Sequence, residues 1–335
     1  MKNILIIKPS ALGDVIQATC MLPILKIRIP EIRISWLVFE ENADVVLDHP
    51  LVDHVVKVKR RGSFFRRLPS LLRELREPQF DTVIDIQCLF RSAMLSFLTG
   101  CKRRIGYKNG REGSTYFYTE TLDIPTRSMH AVEGYILLCE ALGAKRLERI
   151  EFPLPIKVHH RNRVHALLAE HPIRRPLITI CPTAKWETKR WPESYFAQLA
   201  DELYLRTNGE IVLTGAKDET PIVDRITRQM NGKCLNLAGQ LSIPELAALL
   251  EISDLFVGND SAPMHLASAV GVKTVALFGP TDPDLTGPYD PGATVLKQDV
   301  HCRPCFQKRC NHIICLENLS PQTVIKACMD KLREQ

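Results

Sequence analysis

Asp14 closes the run Lys8-Pro9-Ser10-Ala11-Leu12-Gly13-Asp14, where a carboxylate can take a proton from a hydroxyl it faces. Gly13 opens backbone conformations closed to other residues, and Val15-Ile16-Gln17 continue as a helix. An acid in the first turn of a helix is also stabilised by the macrodipole with no chemistry implied. A second run, Leu255-Phe256-Val257-Gly258-Asn259-Asp260-Ser261-Ala262-Pro263-Met264-His265, reads as strand, glycine turn and helix. Asp260 and Ser261 suit the cap, and Pro263 suits the first turn. Free amides and the helix dipole there favour an anion such as a diphosphate. Asp260 can also accept hydrogen bonds from sugar hydroxyls. His265, one turn in, can meet a phosphate, although a lone histidine is more often structural. The third run spans Thr183, Ala184, Lys185, Trp186 and Lys189 to Trp191-Pro192. It offers a hydroxyl and two ammonium groups to a pyrophosphate, with Trp191-Pro192 to pin the loop.

All three runs lie between a strand and a helix. Strands are expected at residues 4–7, 34–38, 55–56 and 82–86, then at 177–181, 210–213, 233–237, 255–257 and 274–277. Amphipathic helices are expected at 14–28, 68–76, 131–142, 161–170, 194–207 and 219–230. Such alternation predicts βαβ units, parallel sheets and an α/β class. Right-handed crossovers then give doubly wound sheets. The pattern runs twice, with a proline-marked break at Glu151-Phe152-Pro153-Leu154-Pro155. Two Rossmann-like domains are expected, 1–155 and 156–318, with a helix at 319–335 packing back on the first. A site in a cleft between the domains is the default for this class. Residues 8–14 lack the G-x-G-x-x-G of a dinucleotide site, which argues against a dehydrogenase.

A chain of 335 residues with 45% hydrophobic positions is long enough for two cores and is not a disordered chain. No charge-free apolar run approaches the roughly 18–20 residues that span a bilayer. The first eight residues read as a strand rather than a signal peptide. The net charge is +6, and residues 1–155 hold 23 basic against 18 acidic residues. Lys57, Lys59, Arg60, Arg61, Arg66 and Arg67 form one acid-free run; Lys102, Arg103, Arg104, Lys108 and Arg111 form another. They suit an anionic partner or a plain solvated face. Nucleic acid is a poor match, because aromatic interleaving stops at Phe64-Phe65 and no reading motif is present. Near the end, Cys302, Cys305, Cys310 and Cys315 fall within fourteen residues. A structural zinc, disulfides and free thiols are all open for them.

Taken in order, these runs resemble glycosyltransferase family 9, the ADP-heptose:lipopolysaccharide heptosyltransferases. Further marks are Asp85-Ile86-Gln87-Cys88-Leu89-Phe90-Arg91-Ser92, Arg104-Ile105-Gly106-Tyr107, Leu213-Thr214-Gly215 with Glu219, and Phe278-Gly279-Pro280-Thr281-Asp282. The resemblance runs nearly end to end and implies the GT-B architecture: two Rossmann-like domains facing a cleft, the first for acceptor and the second for nucleotide sugar. It implies Asp14 as general base and Lys189 as the cation that neutralises the leaving diphosphate. Thr183, Lys185, Glu219, Asp260, Ser261, Ala262 and His265 would bind the donor, while Arg60, Arg61, Arg91 and Arg111 would hold an anionic acceptor. Ala184 departs from a pair that is often hydroxylated. The reaction implied is an inverting, metal-independent transfer of heptose from ADP-heptose to the inner core of lipopolysaccharide. No catalytic cofactor is expected, and the place of work is the cytoplasmic face of the inner membrane, by peripheral contact. Alternatives are a family 9 transferase with another donor or acceptor, and a non-catalytic sugar-nucleotide-binding protein.

Overall fold

Ile4, Leu5, Ile6 and Ile7 are four successive residues with no exposed surface. A strand buried on both faces belongs to the centre of a parallel sheet covered by helices. The computed structural model describes residues 2–60, 64–169, 171 and 173–334, with the side chains of 64–68 outside that description. The chain divides into two compact units, Met1–Pro155 and Ile156–Gln335.

The first unit runs β1 (Asn3–Ile7), α1 (Leu12–Ala18), α2 (Met21–Arg28), β2 (Arg33–Phe39), β3 (His54–Val58) and α3 (Phe64–Arg76). It continues with β4 (Thr82–Asp85), α4 (Phe90–Leu98), β5 (Arg104–Tyr107), β6 (Glu120–Leu122) and α5 (Ala131–Ala141). The second unit opens with α6 (Val158–Ala169), β7 (Leu177–Cys181), α7 (Glu193–Thr207), β8 (Glu210–Leu213), α8 (Thr220–Gln229) and β9 (Leu235–Asn236). Then follow α9 (Ile243–Ile252), β10 (Leu255–Asn259), α10 (Ala262–Val270), β11 (Thr274–Phe278) and α11 (Pro283–Thr286). The unit ends with β12 (Thr294–Lys297), α12 (Ile314–Glu317) and α13 (Pro321–Arg333).

Each sheet has six strands, ordered β3-β2-β1-β4-β5-β6 and β12-β11-β10-β7-β8-β9, and the pairings are parallel. Both are the same doubly wound order, with the direction of winding reversing between β1 and β4 and between β7 and β10. Ligands of such sheets bind at the carboxyl ends of the strands flanking that reversal. The runs holding Asp14, Lys189 and Asp260 leave β1, β7 and β10 at that point.

The faces of the second sheet are filled by alternate residues. Ile178 and Ile180 join α7, α8 and α13, while Leu177 and Val212 join α6 and α9. Burying each such aliphatic side chain stabilises by about 1.5–3 kcal/mol before chain entropy is counted. Val324, Ile325 and Cys328 of α13 lie inside the first of these clusters, against α7 and β11. The expectation that the last helix packs on the first domain is corrected: its apolar face completes the core of the second unit. The single helix expected at 14–28 is two, α1 and α2. The Thr19 hydroxyl turns back to the Ile16 carbonyl at 2.7 Å, and Pro23 falls in the first turn of the new helix, where no N–H is needed.

Candidate functional site

Beyond β7 and β10 the second unit builds a buried polar cluster. Asn259 has no exposed surface and ties two loops together. Its Nδ2 donates to the Pro182 carbonyl at 2.9 Å and its Oδ1 accepts from the Trp191 amide at 3.1 Å. The Trp191 indole donates to Leu319 O at 2.8 Å, which pins the loop between them. A Cβ on Gly258 would come within 3.0 Å of the Cys181 carbonyl and 2.7 Å of the Phe256 ring, so glycine lets the strands pass at this spacing. The next residue but one, Asp260, is 4% exposed. Its Oδ2 lies 2.6 Å from the Lys189 ammonium and also accepts from the buried Thr281 hydroxyl. The Lys189 ammonium rests 4.8 Å from the centre of the Trp186 ring.

Ser261 caps α10, with Ala262 and Pro263 in its first turn and no side-chain cap bond. Among the described residues the buried Ser261 Oγ has no hydrogen-bond partner. Pro263 carries no N–H and the Met264 amide donates to Ser261 O at 3.1 Å, so the Ser261 hydroxyl and the Ala262 amide are what the helix start offers an anion. His265 is buried one turn further on. Beside this cluster the Thr183 hydroxyl donates to Glu219 at 2.7 Å, and the same Glu219 oxygen accepts from the Ala216 amide at 2.9 Å. Lys185 behaves differently from Lys189: it is exposed and pairs with Asp218 at 2.9 Å, away from the Asp260 cluster.

In the first unit, the run after β1 is fastened by Asn42, whose Nδ2 donates to Pro9 O at 2.9 Å, and by the Phe39 amide on the same carbonyl. Asp14 sits in the first turn of α1. One carboxylate oxygen accepts from the Ala11 amide at 3.2 Å and lies 3.3 Å from the ammonium of Lys8. Lys8 is buried, whereas the Asp14 side chain is 42% exposed: one partner is held inside and the other is presented outward. Tyr135 of α5 lies beneath it, and burial first, then the Asp14 charge, push its phenol up.

The run after β4 turns on Asp85. Its buried carboxylate accepts from the Gln87 and Cys88 amides at 2.9 and 3.0 Å and from the Tyr118 hydroxyl at 2.7 Å. Burial pushes this carboxyl up against those hydrogen bonds, and it pushes the Cys88 thiol up to about 12. The turn delivers Arg91, whose guanidinium donates to the carbonyls of Arg60 and Lys59 at 2.7 and 2.6 Å and lies 5.1 Å from the Phe39 ring centre. Arg91 thus shapes the basic loop through its backbone. Arg60 pairs with Glu41 at 3.5 Å, and Arg111 is exposed. Arg61 lies outside the described residues. An open hollow of ≈ 490 Å³ has Glu40, Glu41, Lys59 and Arg60 in its lining.

Cys302, Cys305, Cys310 and Cys315 are free thiols. Among the described residues no group of three or more His, Cys, Asp or Glu side chains is placed to hold a metal ion, so zinc finds no support there. Burial, with the neighbouring thiols, raises Cys315. The segment is nevertheless attached to the Lys189 cluster. Arg303 donates to the Gly279 and Thr281 carbonyls at 2.6 and 2.8 Å, and the Thr188 hydroxyl donates to Gln307 O at 2.7 Å.

The structure therefore gathers Lys189, Asp260 and Ser261 at one strand-end site, with Thr183 and Glu219 joined beside it. It pairs Asp14 with Lys8 at another. Sequence reading gave no role to Lys8, Asn259, Thr281, Arg303 or Trp186. Thr281 stood in a quoted run, but nothing in the residue types paired it with Asp260.

Two successive α/β units with the same doubly wound strand order are the architecture of the GT-B glycosyltransferases. Residues 68–313 match glycosyltransferase family 9 (heptosyltransferase). The chain is 30% identical to lipopolysaccharide heptosyltransferase 1 of Pseudomonas aeruginosa, over 92% of this chain and 88% of that protein. It is 28% identical to lipooligosaccharide heptosyltransferase 2 of Campylobacter jejuni, over 97% of each. A solved family 9 glycosyltransferase from Veillonella parvula matches with a TM-score of 0.88 at 26% identity, covering 100% of this chain and 98% of that one. The chain belongs to glycosyltransferase family 9.

Proposed function

We propose that the chain transfers heptose from ADP-heptose to the inner core of lipopolysaccharide, with inversion at the anomeric carbon and without a catalytic metal. The observation that carries this reading is the Lys189–Asp260 pair beside the open cap of α10. A diphosphate leaves readily when its developing charge meets preorganised donors and cations, and Lys189, the Ser261 hydroxyl and the Ala262 amide supply them. Asp14 then takes the proton from the acceptor hydroxyl as it attacks. Attack opposite the diphosphate inverts the centre. Glu219, held by Thr183 and the Ala216 amide, offers a carboxylate to the nucleotide ribose. His265 and Asp260 serve the phosphate and sugar, and Ala262 contributes its helix-start amide. Lys185 is a weaker candidate for the donor, because Asp218 already holds it.

The relatives named above are a lipopolysaccharide heptosyltransferase 1 and a lipooligosaccharide heptosyltransferase 2, names that favour a lipid-linked saccharide as acceptor here. We assign the acceptor to the first unit and the donor to the second. No helix among the described residues is long and apolar enough to cross a membrane. Basic residues near an anionic surface are attracted by about 1 kcal/mol each, which supports peripheral contact at the cytoplasmic face of the inner membrane.

The test is release of nucleotide from ADP-heptose, UDP-sugars and GDP-sugars over lipid A bearing Kdo, with and without EDTA, and with the anomeric configuration of the product determined. ADP release that needs both heptose and lipid, persists in EDTA and gives inverted product supports the proposal. Release from another donor alone moves the chain to another substrate, and loss in EDTA overturns metal independence. For the acceptor, Arg60→Gln combined with Arg111→Gln is expected to raise the lipid KM about tenfold, the scale of one charged hydrogen bond lost. The donor KM should not move; steady-state kinetics with each substrate varied decides it.

A further inference from the structure

Two ammonium groups share one ring in the second unit. Lys189 lies 4.8 Å from the centre of Trp186, and Lys308 lies 5.0 Å from the same centre. The two nitrogens are therefore within about 10 Å of each other, in the range where an aromatic face attracts a cation. Their surroundings differ. Lys189 is mostly buried and already paired with Asp260. Lys308 is exposed, and among the described residues no carboxylate pairs with it.

The position of Lys308 is built rather than incidental. It sits in the cysteine-bearing segment, which is fastened on both sides of the site. The Cys305 and Phe306 amides both donate to Pro280 O, at 3.0 and 2.9 Å. The Arg303 guanidinium spans the Gly279 and Thr281 carbonyls. Thr188, next to Lys189, holds the carbonyl of Gln307, next to Lys308. Bonds of this kind bring a long side chain to the same ring as a second cation, and the mutual repulsion of two like charges this near is relieved by a bound anion.

We propose that Lys308 is a second cation for the diphosphate of the donor, held beside Lys189 by the Trp186 ring. Lys189 enters the site with its charge offset by Asp260, so an arriving diphosphate finds one compensated and one uncompensated ammonium. The segment of residues 301–313 then serves the donor site by carrying Lys308 to it. Its thiols need no chemistry for that role. This inference rests on the reading that the second unit binds a nucleoside diphosphate.

The experiment is calorimetric titration of the full chain with ADP, AMP and adenosine, for wild type, Lys308→Met and Lys308→Arg, with UDP and GDP added for wild type. Methionine keeps an unbranched apolar stem against Trp186 and removes only the charge, and the site is exposed, so folding is not at stake. Lys308→Met is expected to weaken ADP about tenfold and to leave adenosine unchanged, while Lys308→Arg stays within about threefold of wild type. Unchanged ADP affinity in Lys308→Met overturns the proposal, as does equal weakening of ADP and adenosine, which would mark a packing role. Wild type that binds none of ADP, UDP and GDP overturns the nucleotide reading itself, and this inference with it.

Discussion

Asp14→Asn is expected to lower kcat by roughly 10²–10⁴-fold, the range that a positioned general base contributes, while ADP binds as tightly as before. The choice of asparagine matters. Asp14 accepts from the Ala11 amide and faces the buried Lys8 ammonium, so alanine would leave a buried cation and an amide without their acceptor, at a cost of about 1–3 kcal/mol. Asparagine keeps an oxygen toward both, and what it removes is the capacity to take a proton together with the charge that faces Lys8, which is why the melt is needed. Turnover is measured with saturating donor and acceptor, with a melting curve alongside. Loss of turnover with an intact melt and intact ADP affinity assigns the base to Asp14. Retained turnover removes Asp14 from the mechanism, and lost ADP affinity would mean that its effect is not confined to the acceptor.

The site residues that could be read from sequence were those whose chemistry is local. Asp14, Asp260 and Ser261 each follow a short apolar strand and open a helix, and that transition is visible in the order of residue types. Their partners come from elsewhere in the chain. Thr281 reaches Asp260 across 21 positions and Asn259 reaches Pro182 across 77, and no periodicity reports such pairs. Lys185 and Lys189 looked alike in sequence. The intervening residues include a 3-10 turn at Glu187–Lys189, which sends one ammonium to Asp260 and leaves the other with Asp218.

The fold divides in the same way. Buried central strands such as β7, Leu177–Cys181, were read at their full length. The short strands β5, β6 and β12 went unmarked: four, three and four residues, the last two mostly part-buried. Their strand state comes from a neighbour's ladder rather than from their own pattern. Helix α9 carried a local mark that the sequence reading passed over, the Ser242–Glu245 capping box. The turn of α13 onto the second sheet could not be read locally, since an amphipathic helix declares a buried face but not which core receives it.

Lys189→Met is expected to cost about 10²–10³-fold in kcat/KM, the scale for removing one preorganised group that stabilises leaving charge. It also removes the partner of Asp260, whose carboxylate is 4% exposed and would then keep only the Thr281 hydroxyl. A buried carboxylate stripped of its cation destabilises the fold, so the single variant mixes two effects. The double variant Lys189→Met with Asp260→Asn separates them. The amide no longer needs a cation and still accepts from Thr281, so the melting temperature should return most of the way to wild type while turnover stays low. If turnover recovers with stability, Lys189 acts through folding alone and the leaving diphosphate must be neutralised by other groups. If ADP affinity falls in the single variant and stays low in the double, the ammonium binds the diphosphate directly. Asp260 then orients Lys189 between turnovers and becomes free to accept from the sugar once the cation turns to phosphate.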